Sequence, residues 1–289
     1  MTMSGARATD PRLAARLRLG EALIAEAGAT ALAAFTDPAL AVTAKGEGDL
    51  VTEIDFAIEK RLRAAIVATF PEDKVFGEEG GGEIAGVDGF TWLIDPIDGT
   101  INFARGIGYF CVSLALFAKG RTIAAWIVDP VRNEVFWADP EGRAYLGAER
   151  LRLHGEALVG TSLIGLGFSR RHAADRTVAI IAALDRGGAE FRRLGAGALC
   201  LAHVAAGRLD AYLEPHMNPW DALGGLYIAH CAGAAMLPYA ENGDIAAGGV
   251  VFAAAPGLAA ALLTLLPDPF SGTPPHLEND QRSAGEAAT

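Results

Sequence analysis

Residues 92–105 read WLIDPIDGTINFAR, and the two acids in this run decide how the rest of the chain is read. Three apolar residues lead straight into Asp95, and Pro96 and Ile97 follow before Asp98, Gly99 and Thr100. A carboxylate at the end of a core strand is costly to desolvate unless something pairs with it. Here there are two, with no lysine or arginine before Arg105. Two carboxylates with a backbone carbonyl between them form a hard-oxygen set that suits Mg²⁺ or a similar divalent ion. Gly99 and Thr100 then open a helix or turn whose free N–H groups can hold a phosphate. Metal ligands beside a phosphate cradle point to phosphoryl chemistry.

Outward from this stretch, FCVSLALFA (110–118), TIAAWIVDP (122–130) and EVFWADP (134–140) are short, β-rich and separated by turn residues. With residues 92–97 they predict an antiparallel meander, which GRAYLGAERLRL (142–153) continues. Upstream, Asp10-Pro11 starts a helical period of Leu13, Leu17, Ile24, Ala27, Ala31 and Phe35, which Asp37-Pro38 ends. A second helix follows Thr52, with Ile54, Ile58, Leu62 and Ile66 on one face and Asp55 and Glu59 on another. Glycine-rich FGEEGGGEIAG (76–86) reads as a loop carrying Glu78 and Glu79.

From about residue 158 strands and helices alternate: LVGTSLIGLGF (158–168), a helix at 173–185, another at 198–206, RLDAYLE (208–214), and a helix after Trp220-Asp221. This predicts an N-terminal α+β half with an antiparallel sheet (1–150) and a smaller α/β half (151–270). The polar, Pro/Gly-rich remainder (271–289) has little to bury and is expected to be a disordered tail.

Composition narrows the class. The 289 residues are 51% hydrophobic and 20% charged, with a net charge of -11. That balance argues against a nucleic-acid or anionic-membrane partner. Cys111, Cys200 and Cys231 are odd in number and widely spaced, which fits a reducing compartment. The start lacks a signal-peptide core, so a soluble, cytoplasmic protein is expected. Uncharged residues 248–266 are nearly long enough to span a bilayer, but Pro256-Gly257 splits them into a buried strand (250–255) and a packed helix.

Taken singly, Asp221 is most simply a helix N-cap, and Glu78-Glu79 a solvated pair. Together with Asp95 and Asp98 they carry a resemblance. WLIDPIDGTINF is similar to the first signature of the inositol monophosphatase family, and NPWDALGGLYIAHCAGA (218–234) to its second. KGEGDLVTEID (45–55) and FGEEGG (76–81) match in the family's order, so the likeness runs over residues 45–234.

The resemblance implies a layered αβαβα sugar-phosphatase fold, a homodimer, and Mg²⁺-dependent hydrolysis of a small-molecule phosphate ester, often inhibited by lithium. Carried over by position, Glu78, Asp95 and the Ile97 carbonyl hold a first metal, and Asp95, Asp98 and Asp221 a second. Glu78 holds a third with Asp55 nearby, so two to three Mg²⁺ are implied per site. Thr100 with Glu78 orients the attacking water, and the Gly99 and Thr100 amides take phosphate oxygens. Asp98 and Asp221 also face the substrate, Glu214 binds a hydroxyl, and Gly195 and Ala196 lie beneath the sugar ring. A metal-bound water ionises more readily, which makes it a nucleophile near neutral pH.

Ile101 stands where the family has Thr or Ser, Ala196-Gly197 replaces a hydroxyl-plus-alanine pair, and His230 replaces a glutamate. These departures bear on substrate identity. Myo-inositol monophosphate is the leading substrate, with histidinol-phosphate, fructose 1,6-bisphosphate and 3′-phosphoadenosine nucleotides as alternatives. A non-catalytic regulatory protein of the same fold is the competing class. His230 is expected to be a packing histidine and Asp210 and Asp244 turn or surface residues; Arg192-Arg193, just before the substrate loop, could meet phosphate but is expected to be a surface pair. Lys45 matches a family lysine near the third metal.

Overall fold

The expected meander forms the middle of an eight-stranded sheet. The computed structural model describes residues 11–37, 42–46, 49–85, 89–153, 157–169, 171–240 and 244–270. The expectations for the side chain of Lys45 and for the tail at 271–289 lie outside the described residues. Helix α1 (Pro11–Phe35) is followed by the hairpin β1 (Val42–Gly46) and β2 (Asp49–Thr52), then α2 (Glu53–Thr69). Strands β3 (Lys74–Gly77), β4 (Gly81–Gly82) and β5 (Phe90–Asp98) lead to the short α3 (Thr100–Ala104). The meander continues as β6 (Cys111–Ala118), β7 (Arg121–Asp129), β8 (Glu134–Ala138), β9 (Ala144–Leu146) and β10 (Glu149–Leu151).

Next come β11 (Leu163–Leu166), α4 (Ala174–Arg186), β12 (Glu190–Arg192), α5 (Gly197–Ala205) and β13 (Ala211–Met217). The last elements are α6 (Pro219–Ala232), β14 (Ala235–Met236), β15 (Gly249–Ala254) and α7 (Pro256–Leu265). The first sheet has the order β10-β9-β8-β7-β6-β5-β3-β4, with only the β3–β5 pair parallel. The second has the order β12-β11-β13-β15-β14; β11 runs parallel to both its neighbours, and β15 antiparallel to both of its own.

Period-two alternation along the strands builds the layers. On β5 and β7, Trp92, Ile94, Trp126 and Val128 face α1 and α2, where they meet Ile24, Ala27, Ile58 and Leu62. Leu93, Ala125 and Ile127 face the other way, into a core shared with α5 and α6 (Leu199, Leu201, Leu226). The inner face of the second sheet (Tyr212, Val251, Ala253) closes that core. Its outer face (Leu213, Phe252, Ala254) packs on α4 and α7 through Ile180, Leu258 and Leu262. The stack is therefore helix, sheet, helix, sheet, helix, as the resemblance implied.

Three details differ from the pattern reading. Only 163–166 of the run 158–168 are strand, because the Ser162 hydroxyl donates to the Val159 carbonyl (2.7 Å) and closes a helical turn at Val159–Thr161. The glycine loop folds back as β4, which pairs with β3. Arg16, inside the apolar stripe of α1, is buried between Phe70 and Phe90 and paired with Asp73. The segment after 248 is β15, a turn and α7, with Pro256 in the first turn. Among the described residues no helix is long and apolar enough to cross a membrane.

Candidate active site

The site begins with an irregularity in β5. Asp95 lies opposite Ser113 and Asp98 opposite Cys111, so two residues of β5, Pro96 and Ile97, face one of β6. This is a β-bulge, and proline, which has no N–H to give the ladder, is at home in one. In a regular strand residues i and i+3 point to opposite faces. The extra residue restores both carboxylates to the face that meets α5 and α6, while Ile97 stays in the core beneath α1 and α2. Asp95 is buried, and its Oδ1 accepts the Ile97 N–H (3.0 Å). The Ile97 carbonyl accepts the Thr100 hydroxyl (3.0 Å) and keeps a second lone pair.

Asp98 does what no residue of α5 does for itself: the N-cap position, Ala196, offers no side-chain acceptor. Asp98 instead accepts the N–H groups of Gly197 (3.1 Å), Ala198 (2.7 Å) and Leu199 (3.3 Å), the first orphan donors of that helix. Gly99 follows with a φ of 94°, and a Cβ there would lie 3.0 Å from Ala196 and 3.2 Å from the Gly195 carbonyl. The turn after Asp98 thus rests directly on the loop at Gly195 and Ala196. Asn102 locks the two together by donating to the Leu194 and Tyr109 carbonyls, both at 2.7 Å.

Two further acids converge on Asp95. Glu78 follows β3, and its N–H extends the parallel pairing by donating to the Ile94 carbonyl (3.2 Å). Asp221 sits in the first turn of α6. The N-cap of α6 is Asn218 and not Asp221, as its sequence position alone suggested; Asn218 Nδ2 donates to Asp221 (3.2 Å) and fixes its rotamer. Carboxylate oxygens of Glu78, Asp95 and Asp221 all lie within 4.8 Å of one another. Asp98 faces the same space through its helix-capping carboxylate, and Asp55, although buried in the first turn of α2, is not one of the converging three.

Burial raises the pKa of Asp95, Asp98 and Asp221, and neighbouring acids raise Asp95 and Asp98 further. Asp95 is held well above the carboxylate range, first by desolvation and then by Glu78, Asp221 and Asp98. Desolvation pushes Asp98 up to about 7 despite its helix N–H partners, and Asp221 to about 6. At Asp95 and Asp98 no lysine or arginine among the described residues offsets that burial.

Glu214 projects from β13 beside Tyr212, whose hydroxyl donates to it (2.5 Å). Desolvation raises Glu214 to about 8. Its carboxylate fits a slot walled by Gly167 and Gly197, where a Cβ at Gly167 would overlap it. A cleft of about 520 Å³ joins Glu78, Asp98 and Asp221 to Glu214 and the loop at Gly195 and Ala196. Every site residue expected from the sequence except Asp55 lies on this cleft or on the bulge and turn that build its floor.

Comparison with known proteins agrees with this geometry. The model of the inositol monophosphatase family matches residues 13–268. The chain belongs to that family. A relative named Nus factor SuhB, from Escherichia coli K12, is 36% identical over 239 residues, spanning 82% of this chain and 89% of the relative. The crystal structure of the extragenic suppressor protein SuhB from Bartonella henselae superposes with a TM-score of 0.79 at 27% identity, covering 86% of this chain and 96% of that one. An inositol monophosphatase from Anabaena gives 0.74 at 27% identity, covering 89% and 98%. The family is in general Mg²⁺-dependent, and together with the structural neighbours it indicates a phosphatase of this fold.

Sequence reasoning missed several residues around this inositol monophosphatase cleft. Glu59 is buried and accepts the N–H groups of Glu79 (2.7 Å) and Gly80 (2.9 Å), while Arg63 pairs with it (2.6 Å) and donates to the Val75 and Gly81 carbonyls. The Glu78 turn is therefore clamped from α2. The spacing Glu59-x-x-x-Arg63 beside a conspicuous glycine loop was the available signal. Arg192 and Arg193 are both exposed, but only Arg192 pairs with a neighbouring acid, Glu190; Arg193 borders the cleft over Phe168, where its place before the substrate loop could put it against phosphate. His230 is exposed in the last turn of α6 and not packed, although the helix before it is buried on nearly every face. Asp210 accepts the Leu163 N–H (2.8 Å), anchoring the start of β11, and Asp244 caps a short turn.

Proposed function

We propose that this protein is a Mg²⁺-dependent phosphomonoesterase acting on a small polyol or sugar phosphate, with myo-inositol 1-phosphate the first compound to test. The observation that carries the reading is the convergence of Glu78, Asp95 and Asp221 on one point of a polar cleft. The donor set fits the ions the family uses: it is all oxygen, and no lysine or arginine pairs with Asp95 or Asp98 among the described residues. Glu78, Asp95 and the Ile97 carbonyl would hold one ion, Asp95, Asp98 and Asp221 a second, and Glu78 a third with Asp55 behind it. Bound there, the ions supply charge neutralisation and polarise both water and the phosphoryl group.

The chain's own residues do the rest. Thr100 donates its hydroxyl proton to the Ile97 carbonyl, which leaves its oxygen to accept a proton of the attacking water, opposite Glu78. The Gly99 and Thr100 amides meet phosphate oxygens. The water oxygen forms the new bond to phosphorus and the ester P–O bond breaks; one water proton stays with the inorganic phosphate, the other is released to solvent, and solvent returns one to the leaving alkoxide, giving the alcohol. Glu214, oriented by Tyr212, receives a substrate hydroxyl, and Gly195 and Ala196 form the floor beneath the ring.

Phosphate release from a panel of polyol and sugar phosphates in Mg²⁺ tests the proposal. Turnover that EDTA abolishes is expected, and no release from any ester sinks it. A second reading, a regulatory protein on a phosphatase fold, draws on the relatives named Nus factor and on the changes at Ile101, Ala196 and His230. Asp95→Asn separates the two. It should abolish phosphate release in an enzyme, whereas a protein that never turns over loses nothing measurable by that assay.

A further inference from the structure

The mouth of the cleft does not match the sign of the chain. The protein carries a net charge of -11, and four acids line the cleft, yet two arginines, Arg171 and Arg193, stand at its rim. Neither forms an ion pair among the described residues. Arg171 is held instead by neutral groups: it pairs with His216 Nε2 (2.7 Å) and donates to the side-chain Oδ1 of Asn218 (3.1 Å). His216 lies below its ordinary pKa because of burial and the adjacent Arg171, which keeps the imidazole an acceptor. Asn218 spends its Nδ2 on Asp221, so one amide side chain links the arginine to the acid cluster. The Arg193 guanidinium carbon lies over the Phe168 ring, 5.2 Å from its centroid.

Both cations are therefore positioned without a direct ion pair, although Arg171 is near enough to favour the ionised form of Asp221. Held guanidinium groups with open N–H edges recognise carboxylate and phosphate through paired hydrogen bonds. Between them the rim is apolar: Ile101 is 52% exposed and Phe168 38%, and both line the cleft. An uncharged polyol would leave the arginines unused and lay its hydroxyls against two apolar side chains.

We infer that the cleft selects phosphomonoesters whose alcohol portion bears a second anionic group, held by Arg171 and Arg193, with Ile101 and Phe168 against its carbon framework. This rests on the phosphatase reading above and names its substrate class. The second anion can be a carboxylate or another phosphate, and matched esters tell these apart. One pair is 3-phosphoglycerate against glycerol 3-phosphate; the other is inositol 1,4-bisphosphate against inositol 1-phosphate.

The wild-type protein should prefer the more anionic ester of a pair in kcat/KM. Arg193→Gln and Arg171→Gln should each cut that ratio roughly tenfold, the worth of one charge-assisted contact. Raising the salt should narrow the preference, because these groups are exposed. A ratio near one in the wild type overturns the inference, as does an equal loss on both esters in Arg193→Gln. Thermal-shift titrations with the same four esters give an answer without turnover. A larger shift for the more anionic ester, lost in Arg193→Gln, supports the subsite even if no ester is hydrolysed, an outcome that would refute only the phosphatase reading. Equal shifts overturn the subsite.

Discussion

Glu59→Gln should damage the candidate site from a position the substrate never touches. Each Glu59 oxygen takes one backbone N–H from the turn that follows Glu78, at 2.7 and 2.9 Å, and one oxygen also takes Arg63. The fit leaves no slack, since a Cβ at Gly77 or Gly80 would approach that carboxylate to 2.6 or 2.8 Å. Glutamine keeps one acceptor and turns an NH₂ toward the other donor, so one charge-assisted bond is lost and two donors face each other. Such a bond contributes about 1.5–3 kcal/mol, and the stranded N–H adds about 1 kcal/mol more. The Arg63 pair contributes less than about 1 kcal/mol, because Arg63 is 30% exposed and solvent screens it.

The expected destabilisation is therefore about 3 kcal/mol, read as a lower urea midpoint at unchanged slope. Glu78 is the residue next to the clamped pair, so the turn's shift is transmitted to its carboxylate. A displacement near 1 Å costs roughly a hundredfold in turnover. Phosphate release titrated with Mg²⁺ should show both a lower rate and a weaker Mg²⁺ requirement midpoint. Stability within about 0.5 kcal/mol of wild type, or an unchanged Mg²⁺ titration, refutes the clamp.

Three other expectations follow from the same geometry. Without metal, thermal stability should fall between about pH 5 and 8.5. Asp221, Asp98 and Glu214 titrate near 6, 7 and 8 in the fold, above their unfolded values, so the native state holds protons the unfolded chain has released. Their contribution is complete below about pH 4 and is lost as pH rises through those values; Mg²⁺ should restore most at the alkaline end, and a flat profile in EDTA would contradict this. Gly167→Ala should push Glu214 aside and raise KM about tenfold for a hydroxyl-bearing substrate, with the Mg²⁺ titration unmoved; an unchanged KM would remove Glu214 from substrate binding. Asn102→Ala strands the Leu194 and Tyr109 carbonyls and should cost about 2 kcal/mol in denaturant unfolding; a loss below about 0.5 kcal/mol would show that the turn and loop hold each other without it.

The parts of this fold legible in the sequence are those whose cause is local. Period-two runs gave the meander, and i, i+4 apolar spacing gave α1 and α2, because each face of those elements meets one environment. Glu59 failed that test: two acids four apart look like a solvated face, and its backbone partners lie 20 and 21 residues away. Arg16 sits in an apolar stripe for the same kind of reason, its partner Asp73 being 57 residues distant. Arg193 was legible only in part: its place before the substrate loop allowed a phosphate contact, but the ring beneath it, Phe168, read as the end of the strand-like run 158–168. The candidate site itself was legible because buried acids are improbable enough to signal a shared purpose before their distances are known.

A common device delivers the acids and the substrate-facing glutamate to one cleft. β5 carries a bulge between Asp95 and Asp98, and β13 carries one between Glu214 and Met217. Each interval contains a proline, Pro96 or Pro215, which withholds an N–H where the ladder is already interrupted. Each bulge also turns residues three apart onto the same face, so Asp95 and Asp98 both look toward α5 and α6, and Glu214 and Met217 both border Gly197 at the start of α5. The two sheets thus aim at the N-terminus of one helix, which Asp98 caps and against which Glu214 is lodged. Because Gly99 rests on Ala196 at that same N-terminus, neither the turn after Asp98 nor the loop beneath the substrate can shift without moving α5. The cleft is therefore as rigid as the packing of a helix buried between two sheets, which is the condition for holding like charges close enough to share divalent ions.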